Sequence, residues 1–157
     1  NTHSILGYVH KAYPPIYAAL CEKVGFDSSL LIRGVEGGVV PSLRQKGLMI
    51  SYHRGVEKAQ VSIDPKLLGI NRELRAIAFP KEFENVLERD LLAEYVVNLG
   101  RSALSGKSGM FFDGLVYSAS LILWHIGKSK SLPAAADRVR EVLNSGKSLN
   151  RLEAKSL

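Results

Sequence analysis

The residues best placed to do chemistry lie in one stretch, Ser29-Leu30-Leu31-Ile32-Arg33-Gly34-Val35-Glu36-Gly37-Gly38-Val39-Val40-Pro41-Ser42-Leu43. An apolar run leads into Arg33, and a glycine-rich turn closes on Pro41. A short apolar run bounded by turn signals predicts a buried strand of the parallel-sheet kind. The loop after such a strand sits at its carboxyl end, where open α/β sheets place their ligands. Arg33, Gly34, Glu36, Gly37 and Gly38 are therefore the candidate ligand loop. Arg33 offers a cation for a phosphate or carboxylate, and the glycines allow close backbone approach. Glu36, the loop's one acid, is either an orienting group for a metal or a ligand amine, or a solvated turn carboxylate.

No other constellation is as well formed. The chain has no zinc spacing and no nucleophile elbow, and Gly106-Lys107-Ser108 lacks the upstream glycine and strand of a phosphate-binding Walker loop. The sequence thus assigns no catalytic residue and no metal ligand. The four histidines, His3, His10, His53 and His125, are scattered. His125 falls in an apolar helical pattern and reads as a hydrogen-bonded structural histidine, and His53 as an exposed hairpin end. The single cysteine, Cys21, precludes an intrachain disulfide and suits a reducing cytoplasm as a buried, inert thiol.

The elements that must position the loop follow from periodicity. Ser4–Val9 reads as a strand, and Pro14 and Pro15 open a helix whose apolar residues are Ile16, Ala19, Leu20, Cys21 and Val24, ended by Gly25. With the strand at 29–33, residues 4–33 form a β-α-β unit, hence parallel strands. Period-2 segments at 48–53 and 56–63, joined by Arg54-Gly55, predict a β-hairpin with positive φ at Gly55. Asp64 and Pro65 cap a short turn over 66–68, closed by Gly69, and residues 70–81, without a period, read as a connecting loop. Three helices follow, over 82–105, 110–126 (apolar nearly all round, hence buried) and from the Ser131 cap to Asn144, with a last short turn capped by Ser148.

The chain has 157 residues, a net charge of +6 and a pI near 9.5, with 46% hydrophobic residues. That is one domain's worth of ordinary globular composition, with no apolar run near the ~20 residues of a membrane span. The fold expected is α/β: a β-α-β unit plus hairpin, followed by a C-terminal helical bundle. Residues 101–157 carry nine Lys/Arg against four acids. This basic balance reads either as a solvated surface or as a site for polyanions. On the second reading Arg33, Arg44, Lys46 and Arg54 are the candidate phosphate or nucleic-acid contacts, reaching from neighbouring loops.

Taken in order, Gly7-Tyr8-Val9, the helix at 14–24, the strand and glycine loop, Leu104-Ser105-Gly106-Lys107-Ser108-Gly109 followed by Asp113, the helix Tyr117-Ser118-Ala119-Ser120 and the ending Asn144-Ser145-Gly146-Lys147-Ser148-Leu149-Asn150-Arg151-Leu152-Glu153 resemble the C-terminal half of the anthranilate phosphoribosyltransferase family. The resemblance implies a partial domain of the nucleoside-phosphorylase and phosphoribosyltransferase type. It implies that residues 1–157 are the end of a larger α/β domain, with the family's helical domain and pyrophosphate-binding loop upstream. For the whole protein it implies phosphoribosyl pyrophosphate, Mg²⁺ and phosphoribosyl transfer to an aromatic amine, in the family's case anthranilate for tryptophan synthesis. The family's metal-holding Asp-Glu pair falls on Val39 and Val40, which offer no oxygen to a hard cation. In this the chain looks like the paralogue branch that keeps the fold, lacks demonstrated activity on anthranilate and includes nucleic-acid-binding members. The expectations are therefore a chain inactive by itself and needing no cofactor, in the cytoplasm and off the membrane. Its partners would be nucleic acid, the upstream part of its own polypeptide, or a second copy paired along an exposed edge strand at 4–9.

Overall fold

The computed structural model describes residues 1–78 and 89–154. A four-stranded sheet is built in the order β1 (His3–Gly7), β2 (Ser28–Ile32), β3 (Gly47–His53), β4 (Val56–Ile63). Helix α1 (Tyr13–Val24) makes the crossover from β1 to β2, which run parallel, with Ile5 opposite Leu30. β2–β3 and β3–β4 are antiparallel. The hairpin turn has positive φ at both Arg54 (47°) and Gly55 (70°), the two-residue geometry that matches strand twist. A 3-10 turn, Pro65–Leu68, follows β4, with Asp64 accepting from the Lys66 N–H. Helices α2 (Arg89–Leu104), α3 (Met110–His125), α4 (Leu132–Asn144) and α5 (Lys147–Glu153) complete the chain. The part of the expected 82–105 helix that precedes Arg89 lies outside the described residues.

β2 is the spine because every one of its residues is buried. Leu31 faces α1, in a cluster with Tyr8, Ala18, Ile50 and Tyr52. Leu30 and Ile32 face the other way, against Met49, Ile63, Val116, Tyr117 and Leu121. A strand covered on both faces needs apolar residues at consecutive positions, which is why this run does not alternate. α3 lies against the second face and packs on α4, with Val116, Tyr117, Ser120 and Leu121 fully buried, as its all-round apolar composition requires.

Three local expectations are corrected. Regular β1 ends at Gly7; the Tyr8 N–H still pairs with the Ile32 carbonyl at 3.1 Å, but Val9 turns out to solvent. In α1 the sheet side is Pro14, Ala18 and Cys21, while Ile16, Leu20 and Val24 are more than half exposed. Small residues let the helix sit close to the sheet, and the bulkier apolar ones are turned away from it. α5 starts from Gly146, at φ 70°, which leaves Ser148 inside the first turn rather than capping it.

Candidate functional site

Arg33 directly follows β2, and its N–H donates to the Leu48 carbonyl at 2.9 Å, extending the ladder to β3 by one residue. The chain then folds into a tight turn, Val35–Gly37, with left-handed backbone at Glu36 (φ 53°) and Gly37 (φ 79°). The Val35 N–H reaches across the loop to the Val40 carbonyl at 2.9 Å and the Gly38 N–H returns to the Val35 carbonyl at 2.9 Å. The loop lies on the end of β1. A Cβ at Gly7 would stand 2.6 Å from the Gly38 carbonyl oxygen, and one at Gly34 would stand 2.6 Å from that of Val40. The glycines at 7 and 34 are therefore required by backbone approach.

Between this turn and the start of β3 is a cleft of about 440 Å³. Arg33, Glu36, Ser42, Gln45, Lys46 and Arg75 supply its polar side chains. Ser42 Oγ accepts from the N–H groups of Arg44 (3.3 Å) and Gln45 (3.0 Å), which curls the 42–46 segment around the opening. Lys46 Nζ stands 3.5 Å from Asp64 Oδ2, with a side chain 74% exposed. So open an ion pair holds its lysine weakly, and the ammonium remains available to a ligand.

The structure brings together Arg33, Gly34, Glu36 and Lys46 from the sequence candidates. Gly37 and Gly38 belong to the same loop but serve its backbone packing. Arg44 is exposed beside the cleft without lining it. Arg54 is not a neighbour, contrary to expectation. It sits in the hairpin turn, its N–H on the Asp27 carbonyl, at the end of β2 opposite to Arg33. A five-residue strand separates the two ends by about 15 Å. Sequence reasoning missed Arg75, which reaches the cleft from the loop after β4, and nothing local in that aperiodic segment marks it.

Val39 and Val40 are 44% and 47% exposed and do not line the cleft. Their side chains hold no oxygen, Glu36 stands alone, and among the described residues no group of three or more His, Cys, Asp or Glu could hold a metal ion. The side chains present do not fit a Mg²⁺ at this loop.

A second polar cluster lies at the other end of the sheet. Ser28 Oγ is hydrogen-bonded to His3 Nδ1 (2.7 Å) and to His125 Nε2 (2.8 Å), and His125 Nδ1 to Ser51 Oγ (2.9 Å). Burial pushes His125 down to about 4, with His3 and His53 adding repulsion. Both ring nitrogens are engaged, so His125 is the structural histidine its sequence context indicates, and His53 is exposed as expected. Cys21 is buried and forms no disulfide. No helix of the described residues is long and apolar enough to cross a membrane.

No family model matches the chain. An uncharacterized protein of Aquifex aeolicus (strain VF5) is 30% identical to it over 140 residues, which is 87% of this chain and 40% of that protein. Among solved structures, the anthranilate phosphoribosyltransferase from Thermus thermophilus superposes with a TM-score of 0.68 at 23% identity, over 94% of this chain and 40% of that one. That from Saccharomyces cerevisiae superposes in complex with PRPP and Mg (TM-score 0.67, 20% identity) and in complex with 4-fluoroanthranilate (TM-score 0.69, 18% identity). Both cover 97% of this chain and 41% of the yeast chain. The chain therefore spans about two fifths of the length of the proteins it matches, and its fold is that of a stretch of an anthranilate phosphoribosyltransferase.

Proposed function

We propose that this chain is the phosphate-binding part of a phosphoribosyltransferase-like protein and performs no transfer by itself. The observation that carries the reading is the convergence of Arg33, Lys46 and Arg75 on one cleft. They come from three separate segments to the carboxyl end of the parallel pair β1–β2, where open α/β sheets bind their ligands. Guanidinium groups suit phosphate oxygens in pairs, and an exposed ammonium adds a point charge. With no carboxylate pair at Val39 and Val40, charge neutralisation at this loop falls to side chains rather than to Mg²⁺.

The phosphate has two candidate sources. The fold favours the diphosphate of phosphoribosyl pyrophosphate, which the yeast neighbour binds with Mg. The chain's net charge of +6, with Arg44 exposed beside the cleft, favours a nucleic-acid backbone. The upstream part of a longer polypeptide would supply any acceptor site and the remaining strands. The single free cysteine fits a cytoplasmic setting.

The test is calorimetric titration of the 157-residue chain with phosphoribosyl pyrophosphate and, separately, with a short DNA duplex, each at low and at physiological salt. Saturable binding of the diphosphate, lost in Arg33→Ala, supports the small-molecule source. Binding of DNA alone, steeply weakened by salt and by the same substitution, supports the nucleic-acid source. Neither ligand binding, or binding unchanged in Arg33→Ala, overturns the cleft reading.

A further inference from the structure

The segment that carries Arg75 into the cleft has no helix or strand of its own over residues 71–78. It starts from Ile70, which is buried and donates its N–H to the Pro65 carbonyl at 3.0 Å. Two contacts then fix its course. The Leu43 N–H donates to the Arg75 carbonyl at 2.9 Å, tying the segment to the stretch just past the glycine loop. Arg72 Nε donates to Asp113 Oδ2 at 2.6 Å, tying it to the first turn of α3.

We infer that Asp113 is a positioning residue for the cleft: by holding Arg72 it sets the path of residues 71–75 and so delivers the Arg75 guanidinium to the bound phosphate. The inference rests on the reading of the cleft as a phosphate site.

The pair is built for this task. Asp113 is only 14% exposed and Arg72 37%, so the contact is shielded on its acidic side and not a loose surface pair. A short charge-assisted hydrogen bond is strong and directional, and it restricts a backbone that has no ladder to hold it. The acidic end is also the rigid end. Asp113 stands in the first turn of α3, where a carboxylate is favoured by the helix dipole, and the helix is the buried core of the domain. Arg72 and Arg75 are three positions apart, with Glu73 and Leu74 between them, in an irregular segment, so a shift at the first is passed to the second. A cation that must meet a phosphate within hydrogen-bond range gains from a fixed path and loses from a mobile one.

The experiment is a double-mutant cycle on the 157-residue chain, with inorganic pyrophosphate as the titrated probe. Arg75→Ala is expected to weaken pyrophosphate about tenfold and Asp113→Asn about fivefold, both with the far-UV spectrum retained. In the Arg75→Ala background Asp113→Asn is expected to change affinity no further, because its effect passes through Arg75. A merely structural Asp113 would weaken binding equally in both backgrounds, or in neither, and either result overturns the positioning role while leaving the cleft intact. If Arg33→Ala and Arg75→Ala both leave pyrophosphate affinity unchanged, the cleft reading itself falls and the positioning role with it. Should Asp113→Asn lower the melting temperature enough to obscure the titration, Arg72→Gln removes the other half of the pair and runs the same cycle with the same outcomes.

Discussion

His125 Nε2 and Ser28 Oγ are hydrogen-bonded at 2.8 Å, joining the last turn of α3 to the first residue of the central strand. Ser28 lies between His3 and His53 in strand register, so three of the four histidines gather at this end of the sheet. A neutral imidazole donates from one nitrogen and accepts at the other, which lets His125 bridge Ser28 and Ser51 at once.

That bridge makes stability depend on pH. The ordinary histidine value is near 6.5, and in the fold His125 is held at about 4. Above pH 6.5 the ring is neutral in both states and the contact is at full strength. As pH falls from 6.5 to 4, the unfolded chain takes up a proton that the folded one refuses, and stability drops by an amount on the order of 2 kcal/mol. Urea unfolding at pH 7, 6 and 5 is expected to show this decline, and His125→Gln, which keeps one donor and one acceptor, is expected to flatten it. An unchanged decline in His125→Gln would assign the effect to other groups.

Much of this arrangement is legible in the residue order. Leu30-Leu31-Ile32 announces a strand buried on both faces, and the parallel pair, the hairpin at Arg54-Gly55 and the buried helix around Val116 all follow from period and turn chemistry. The glycine loop is legible because its glycines serve local backbone geometry. Arg75 is not, because its place is fixed by contacts with Leu43 and, through Arg72, with Asp113, partners far away in sequence. Arg54 is misleading for the related reason that sequence shows a cation next to a turn but not which end of the sheet the turn occupies. In α1 the spacing predicts the helix correctly, but Ala18 rather than Leu20 faces the sheet, since the close approach of the helix selects for size as well as for apolarity.

Tyr117 sits in the middle of the core with its ring fully buried, and its hydroxyl has no hydrogen-bond partner among the described residues. Burial, with Asp64 adding repulsion, holds its ionisation far above the usual phenol range. A buried donor without a partner costs about 1–3 kcal/mol, whereas removing the hydroxyl leaves the apolar packing intact. Tyr117→Phe is therefore expected to be neutral or to stabilise the chain by about 1 kcal/mol in chemical denaturation. Destabilisation beyond that scale would show that the hydroxyl is satisfied, by a buried water for instance.

Gly7 and Gly25 both disfavour a side chain, for different physical reasons, and the contrast tests the loop. At Gly7 an added methyl would meet the Gly38 carbonyl, and the ligand loop must move to admit it. At Gly25 nothing lies within 4 Å of the added atom, but φ is +100°. Gly25→Ala should cost about 1 kcal/mol of backbone strain and leave pyrophosphate affinity unchanged. Gly7→Ala should cost about 1–3 kcal/mol and weaken pyrophosphate as well, because the obstructed Gly37–Gly38 backbone continues directly from Gly34, Val35 and Glu36, which line the cleft. Equal affinity in the two variants would separate the loop from the ligand site.

The two edges of the sheet are protected unequally. β4 carries Glu57 and Lys58, both exposed, and a register shift opposite Ser51 and Tyr52 distorts its pairing. Charges and bulges of this kind discourage edge-to-edge association. β1, the other outermost strand, reads His3-Ser4-Ile5-Leu6-Gly7 and has no acidic or lysine side chain. The Tyr8 N–H points to Ile32, so by strand alternation the N–H groups of Ile5 and Gly7 point away from β2. The 157-residue chain is accordingly expected to self-associate through β1, with sedimentation velocity showing a dimer fraction that grows with concentration. Ser4→Lys places a charge on that edge and should return the chain to monomer. A monomer at every concentration, or a dimer indifferent to Ser4→Lys, would place no copy of the chain on this strand.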